Sequence, residues 1–114
     1  MHIVALHNLK GGVGKTAAAV NLADQAARGG LPTLLWDLDP QAAATWCLNA
    51  RPGLGRAPKK LFRRNAPIGK ERQRTRWPYL DLLPADESLR HLDALIEKGK
   101  DGGRLLHGLL EPFS

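Results

Sequence analysis

Cysteine is almost missing from this chain: Cys47 stands alone among 114 residues. A single thiol excludes an internal disulfide framework and any metal site assembled from several cysteines. Long apolar runs are missing as well, none approaching the roughly 20 residues that a bilayer crossing requires. The start of the chain lacks the basic-then-apolar layout of a secretory leader, because a polar Gly-Lys loop soon interrupts the apolar residues. No internal repeat is visible. Hydrophobic residues at 43% and charged residues at 25% give the composition of an ordinary globular chain, and the length suits one domain and is short for two. These features predict a cytoplasmic protein without membrane contact, a single domain over residues 1–114.

Acids are missing from one stretch in particular. Between Arg51 and Arg76 ten basic residues face one acid, Glu71, whereas the remainder carries seven basic residues and ten acids. The net charge of +6 therefore arises from one strongly basic insert in a mildly acidic domain, an asymmetry that often marks contact with nucleic acid or a membrane surface. Residues 49–78 also hold Pro52, Gly53, Gly55, Pro58, Pro67, Gly69 and Pro78. That composition predicts a long loop with at most a turn of helix around "KKLFRR". Two readings of it stay open: a flexible arm that neutralises DNA phosphates, with Phe62 and Trp77 available for stacking, or a solvated loop whose charge keeps the protein soluble.

Around this insert the pattern is α/β. "HIVALH" (2–7) reads as a buried strand running into a glycine-rich turn. From Gly14 to about Arg28 the residues are good helix formers, and Gly29-Gly30 stops them. "PTLLWD" (32–37) is a second strand, and strand, loop, helix, strand in this order predicts a βαβ unit with a parallel sheet flanked by helices. "QAAATWCL" (41–48) suits a short helix, "YLDLLPA" (79–85) another strand, and Asp86, Glu87 and Ser88 helix-start chemistry ahead of Leu89, Leu92, Leu95 and Ile96 on one face. Gly99 is expected to end that helix, and a last short helix is expected over residues 104–110. Trp36, Trp46 and Cys47 are expected to pack inward, and His2 and His7 have no metal-ligand spacing.

The turn after the first strand carries the chemistry. "HNLKGGVGKTAAAVNLA" (7–23) contains Gly14-Lys15-Thr16, the end of a phosphate-binding loop. The usual GxxxxGK[ST] pattern would need a glycine where Leu9 stands, and an additional lysine, Lys10, precedes the glycine pair. A turn between a strand and a helix N-terminus offers free backbone N–H groups and a positive dipole end to an anion. Gly11, Gly12 and Gly14 allow the backbone to curl around phosphate, Lys15 would reach the β- and γ-phosphates, and the Thr16 hydroxyl would bind Mg²⁺. "DLDPQ" adds Asp37 and Asp39 at the C-terminal end of the second strand, where open parallel sheets bind ligands. Carboxylates there can support Mg²⁺ through water or orient an attacking water.

"KGGVGKT", "AVNLA" and "LLWDLDPQAAAT" together resemble the ParA/MinD-like deviant Walker A ATPases, and within them the ParA (Soj-like) partition branch. In that family the lysine before the glycine pair is the defining feature, so Leu9 is no lesion. The spacing from Lys15 to Asp39 fits as well, and "LDLLPADESLRHLDALI" is similar to the family's "LPA" strand end and following helix. The resemblance implies a P-loop NTPase-like fold and these roles: Gly11, Gly12, Val13 and Gly14 give backbone donors to phosphate, Lys15 is the phosphate lysine, and Thr16 is the Mg²⁺ ligand. Lys10 would reach across an ATP-sandwiched homodimer, Asp39 would position the hydrolytic water, and Asp37 would lie near the Mg²⁺ shell, through water. Ala17 stands where many relatives carry a second threonine. ATP and Mg²⁺ as ligands, ATP-dependent dimerisation, non-specific DNA association, a ParB-like adaptor and a place on the nucleoid all follow from the same resemblance.

Members of that family are longer and continue into a Walker B strand, which the resemblance places between the strands at 2–7 and 32–37. This chain is expected to be the N-terminal part of a split or truncated product, or else a short relative that fills the gap by self-association. Hydrolysis is expected to be weak or lost in it. The alternative from a different class is a non-catalytic DNA-binding or interaction module that keeps the phosphate loop as a relic; a third is another phosphate-loop enzyme, against which "DLDPQ" leans.

Overall fold

The computed structural model describes residues 1–7, 14–48, 50–51, 53–98 and 102–114. The Ala-rich run after Gly14 forms helix α1 (Lys15–Arg28). It ends where Gly30 takes φ 84, a left-handed conformation that costs glycine little. The chain then turns into β1 (Thr33–Trp36), a short helix α2 (Ala43–Cys47), a helical turn α3 (Pro58–Leu61), the two-residue β2 (Gln73–Arg74) and β3 (Leu80–Leu83). A 3-10 turn (Glu87–His91) leads into α4 (Leu92–Lys98), and α5 (Gly102–Leu110) follows near the C-terminus.

The sheet order is β1-β3-β2. β1 and β3 run parallel with Leu34 opposite Asp81 and Leu35 opposite Leu82, which the long crossover between them permits. β2 lies antiparallel to β3, so the sheet is mixed where a parallel one was expected. The arginine-rich sequence concealed that edge strand, because two residues between polar neighbours carry no readable periodicity.

Side chains alternate across the sheet. Leu35, Leu80 and Leu82 face α1 and α2 and pack on Ala23, Ala27, Ala44 and Leu48. Leu83, with half-buried Leu34 and Trp36, faces the opposite layer, where Leu61, Phe62, Ala66 and Ile68 meet Leu89, Leu92 and Leu109. The result is an α/β sandwich with the sheet in the middle.

Four expectations are corrected here. Residues 2–7 form no strand; they lie outside the sheet with Ile3 53%, Val4 75% and Leu6 41% exposed. Among the described residues no strand pairs with them, and a segment without a ladder leaves its backbone to water. Phe62 is not available for stacking on a base: it is buried and stacks on Trp36, with ring centroids 5.9 Å apart. The basic stretch is thus anchored in the core by its apolar residues while most of its charges face solvent. Trp46 and Cys47, expected inside, are exposed on the outer side of α2.

Candidate functional site

Three chain segments converge beyond the C-terminal ends of β1 and β3. The first is the start of α1. Gly14 sits at its N-cap with φ 85 and ψ 11, and no side chain caps the helix. The first helical bond there runs from the Ala18 N–H to the Gly14 carbonyl, 2.9 Å, so the N–H groups of Lys15, Thr16 and Ala17 precede the ladder and face the helix mouth. The half-buried Thr16 occupies this first turn. Lys10, Gly11, Gly12 and Val13 lie outside the described residues.

The second segment is the turn that follows β1. Asp39 Oδ2 accepts a hydrogen bond from Lys15 Nζ at 3.0 Å, closing an ion pair between the strand end and the helix start. Asp39 Oδ1 accepts the Gln41 N–H at 3.0 Å, and the Asp39 carbonyl accepts the Ala42 N–H at 2.9 Å. The Gln41 N–H and then the Lys15 ammonium hold the Asp39 carboxyl below the ordinary carboxylate range, against partial burial. Ala42 closes the turn at φ 55, a backbone conformation that alanine adopts only under constraint.

The third segment comes from α2 and the end of β3, and the sequence reading did not find it. Asp37 is only 6% exposed, and its carboxylate accepts three bonds from protein donors. Its Oδ1 accepts the Asp39 N–H at 3.1 Å; its Oδ2 accepts the Thr45 N–H at 3.0 Å and the Thr45 hydroxyl at 2.7 Å. The Thr45 hydroxyl, completely buried, in turn accepts the Ala85 N–H at 3.1 Å. Asp37 and Thr45 therefore tie the ends of β1 and β3 together and fix the backbone at Asp39. A hydroxyl within "AAATWC" was the available signal, but its partner just past β3, the Ala85 N–H, is 40 residues away.

Among the described residues no three His, Cys, Asp or Glu side chains gather into a free-standing metal site. The donors present, a hydroxyl at Thr16 and a carboxylate at Asp39, are hard oxygens of the kind Mg²⁺ accepts alongside phosphate and water. The arrangement fits a metal carried in with a phosphate ligand: free helix N–H groups, a lysine at the mouth, and oxygen donors beside it.

Comparison with known proteins agrees with this geometry. A family model described as an AAA domain matches residues 1–114. The chain is 35% identical over 109 residues to the chromosome partitioning protein ParA of Caulobacter vibrioides, covering 91% of this chain and 39% of that protein. Over 48 residues it is 58% identical to the chromosome-partitioning ATPase Soj of Thermus thermophilus, 42% of this chain and 19% of that one. Its fold matches cobyrinic acid a,c-diamide synthase of Mycobacterium smegmatis with bound ADP and magnesium at a TM-score of 0.82 and 27% identity, covering 95% of this chain and 44% of that one. The same enzyme has been solved with an ATP analogue and magnesium. The chain thus spans well under half the length of these relatives.

Proposed function

We propose a function from one premise: the chain belongs to the AAA-domain family and, within it, to the ParA/Soj-type partition ATPases. On that footing it binds ATP or ADP with Mg²⁺ at the mouth of α1 and serves DNA partitioning, on a plasmid or a chromosome, in the cytoplasm. The observation that carries this reading is the Lys15–Asp39 contact of 3.0 Å, which sets a cation directly at the uncapped helix start.

Each residue then has a definite task. Gly11, Gly12, Val13 and Gly14 offer backbone N–H groups to phosphate, and Lys15 leaves Asp39 to neutralise phosphate charge. The Thr16 hydroxyl holds Mg²⁺, which supplies charge neutralisation at the terminal phosphates. Asp37 keeps its three protein bonds and supports that site through water, while Asp39, freed from Lys15, is positioned to orient a water molecule. Lys10 acts in trans on a partner subunit's nucleotide, which makes dimerisation ATP-dependent. The exposed charges between residues 51 and 76 carry non-specific DNA association on the nucleoid, and a ParB-like adaptor completes the assembly.

Calorimetric titration of the chain with Mg-ATP and with Mg-ADP tests the core of this proposal. Heat of binding is expected, and Lys15→Ala should weaken it at least tenfold, roughly the value of one charge-assisted contact. Absence of heat, or binding indifferent to Lys15→Ala, would remove the nucleotide site. Phosphate release under the same conditions separates binding from turnover: binding without release identifies a chain in which hydrolysis is lost.

A further inference from the structure

A second groove, of about 590 Å³, opens beside β2 at the N-terminal ends of β1 and β3, the opposite strand ends from Lys15 and Asp39. Arg72, Arg74, Thr75, Trp77 and Tyr79 line it on one side, and Arg76 stands at its rim, over the Trp77 ring. Arg72 is extended at φ −64 and ψ 130, and Arg72, Arg74 and Arg76 are exposed while Gln73 and Thr75 between them are half-buried. Extended backbone at Arg72 and through β2 sends the Arg72 and Arg74 side chains to one side, and the chain then bends at Arg76, which adds a third exposed cation to the row beside them.

Two contacts fix this row before any ligand arrives. The Gln73 side chain bonds both backbone groups of Arg51, accepting its N–H at 3.1 Å and donating to its carbonyl at 3.0 Å. Thr75 Oγ1 bonds the Leu80 carbonyl at 2.6 Å and closes the turn to β3. Within the row, Arg72 lies 3.7 Å from the Asp81 carboxylate and Arg76 sits 4.5 Å over the Trp77 ring. Asp81 is the acid that lines the groove, so the row keeps a surplus of positive charge. Beside it Tyr79 is 61% exposed and held at φ 65, a backbone conformation unfavourable for tyrosine, while its carbonyl accepts the Thr33 N–H at 2.7 Å.

We propose that this groove is a binding site for single-stranded nucleic acid, with phosphates along Arg72, Arg74 and Arg76 and an unstacked base on Tyr79. The proposal rests on the reading that the basic stretch engages nucleic acid, and narrows it to one strand, one groove and one ring. Arginines in a row suit any polyanion, but a duplex keeps its base faces covered, whereas a free ring beside a pocket of this size suits an exposed base.

Fluorescence anisotropy of the intact chain, without nucleotide, against a labelled oligothymidine and a duplex of equal length tests this. The single strand should bind about tenfold more tightly than the duplex, the value of one stacked base. Tyr79→Asn, which tolerates the left-handed backbone, should remove that preference and leave duplex binding unchanged, while Tyr79→Phe retains it. The double variant Arg74→Gln/Arg76→Gln should weaken both polymers and flatten the salt dependence by about two phosphate contacts. Thermal melting of each variant confirms that it is folded. Equal affinity for both polymers together with indifference to Tyr79 overturns the groove and leaves the broader DNA reading standing. So does loss of binding in Lys59→Gln/Lys60→Gln but not in the arginine variant. Failure of the wild-type chain to bind either polymer overturns both.

Discussion

Thr45 carries more of the site than its place in an alanine-rich helix suggests. Its hydroxyl is shared between the Asp37 carboxylate and the Ala85 N–H, both buried. Thr45→Val keeps the shape and leaves both groups short of a partner, so the folded state should lose about 2–4 kcal/mol in urea denaturation, whereas Thr45→Ser should lose less than about 1 kcal/mol. The half-exposed pair of Lys15 and Asp39 behaves differently. Asp39→Asn should change stability by no more than about 1 kcal/mol, yet tighten the binding of inorganic pyrophosphate, because Lys15 no longer needs to leave a carboxylate. Asp39 and Asp86 share a response to pH. Desolvation opposes ionisation of Asp86, but the Ser88 hydroxyl and the N–H groups of Leu54 and Ser88 outweigh it, so its carboxyl too lies below the ordinary range. Both groups ionise more readily in the folded chain. Their contribution is therefore complete above the unfolded carboxyl value of about 4, and drains away as pH falls through the lower folded values. Urea midpoints measured at neutral and at acid pH should converge less steeply in Asp39→Asn and Asp86→Asn than in the wild type. The aspartates were legible in "DLDPQ" because strand ends in parallel sheets receive ligands; Thr45 was not, since its role exists only once β3 lies beside β1.

At the level of elements, helix starts and stops were the readable part. Gly29-Gly30 ends α1 as expected, and Asp86 caps the 3-10 turn before α4 by accepting the Ser88 N–H at 2.9 Å. Asp86 also accepts the Leu54 N–H at 2.8 Å, pinning the start of the basic stretch to the turn that leads into α4. Removing these two bonds, and with them the one from the Ser88 hydroxyl, in Asp86→Ala should cost about 1–2 kcal/mol. The basic stretch itself was legible in charge and misread in structure, because ten cations conceal the few apolar residues that hold it down. Phe62→Ala should cost about 3–5 kcal/mol by opening a cavity under Trp36. Limited trypsin digestion at the exposed Arg63 and Arg64 should then be faster than in the wild type, because the backbone there opens more readily once Phe62 no longer holds it.

For the whole molecule, the exposed segment 2–7 decides behaviour in solution. Ile3, Val4 and Leu6 are exposed apolar side chains on a segment with no ladder among the described residues, and an apolar segment with unpaired backbone recruits other chains. Sedimentation of the wild type should show association that grows with concentration, and Val4→Lys should suppress it while leaving the melting temperature unchanged. Neither the segment's exposure nor the mixed sheet was legible from local sequence. A buried strand is defined by its neighbours, and "HIVALH" reads the same with or without them.

The site also lends itself to direct observation. Cys47 is the chain's sole thiol, it is exposed, and it ends the same short helix that contributes Thr45. A maleimide dye there would occupy one defined position without any engineered residue. If nucleotide draws Lys15 away from Asp39 as proposed, the turn spanning Asp39 to Ala42 loses one of its anchors, and α2 begins at the next residue. The native protein thus holds an attachment point for an optical reporter a few residues from the event it would report.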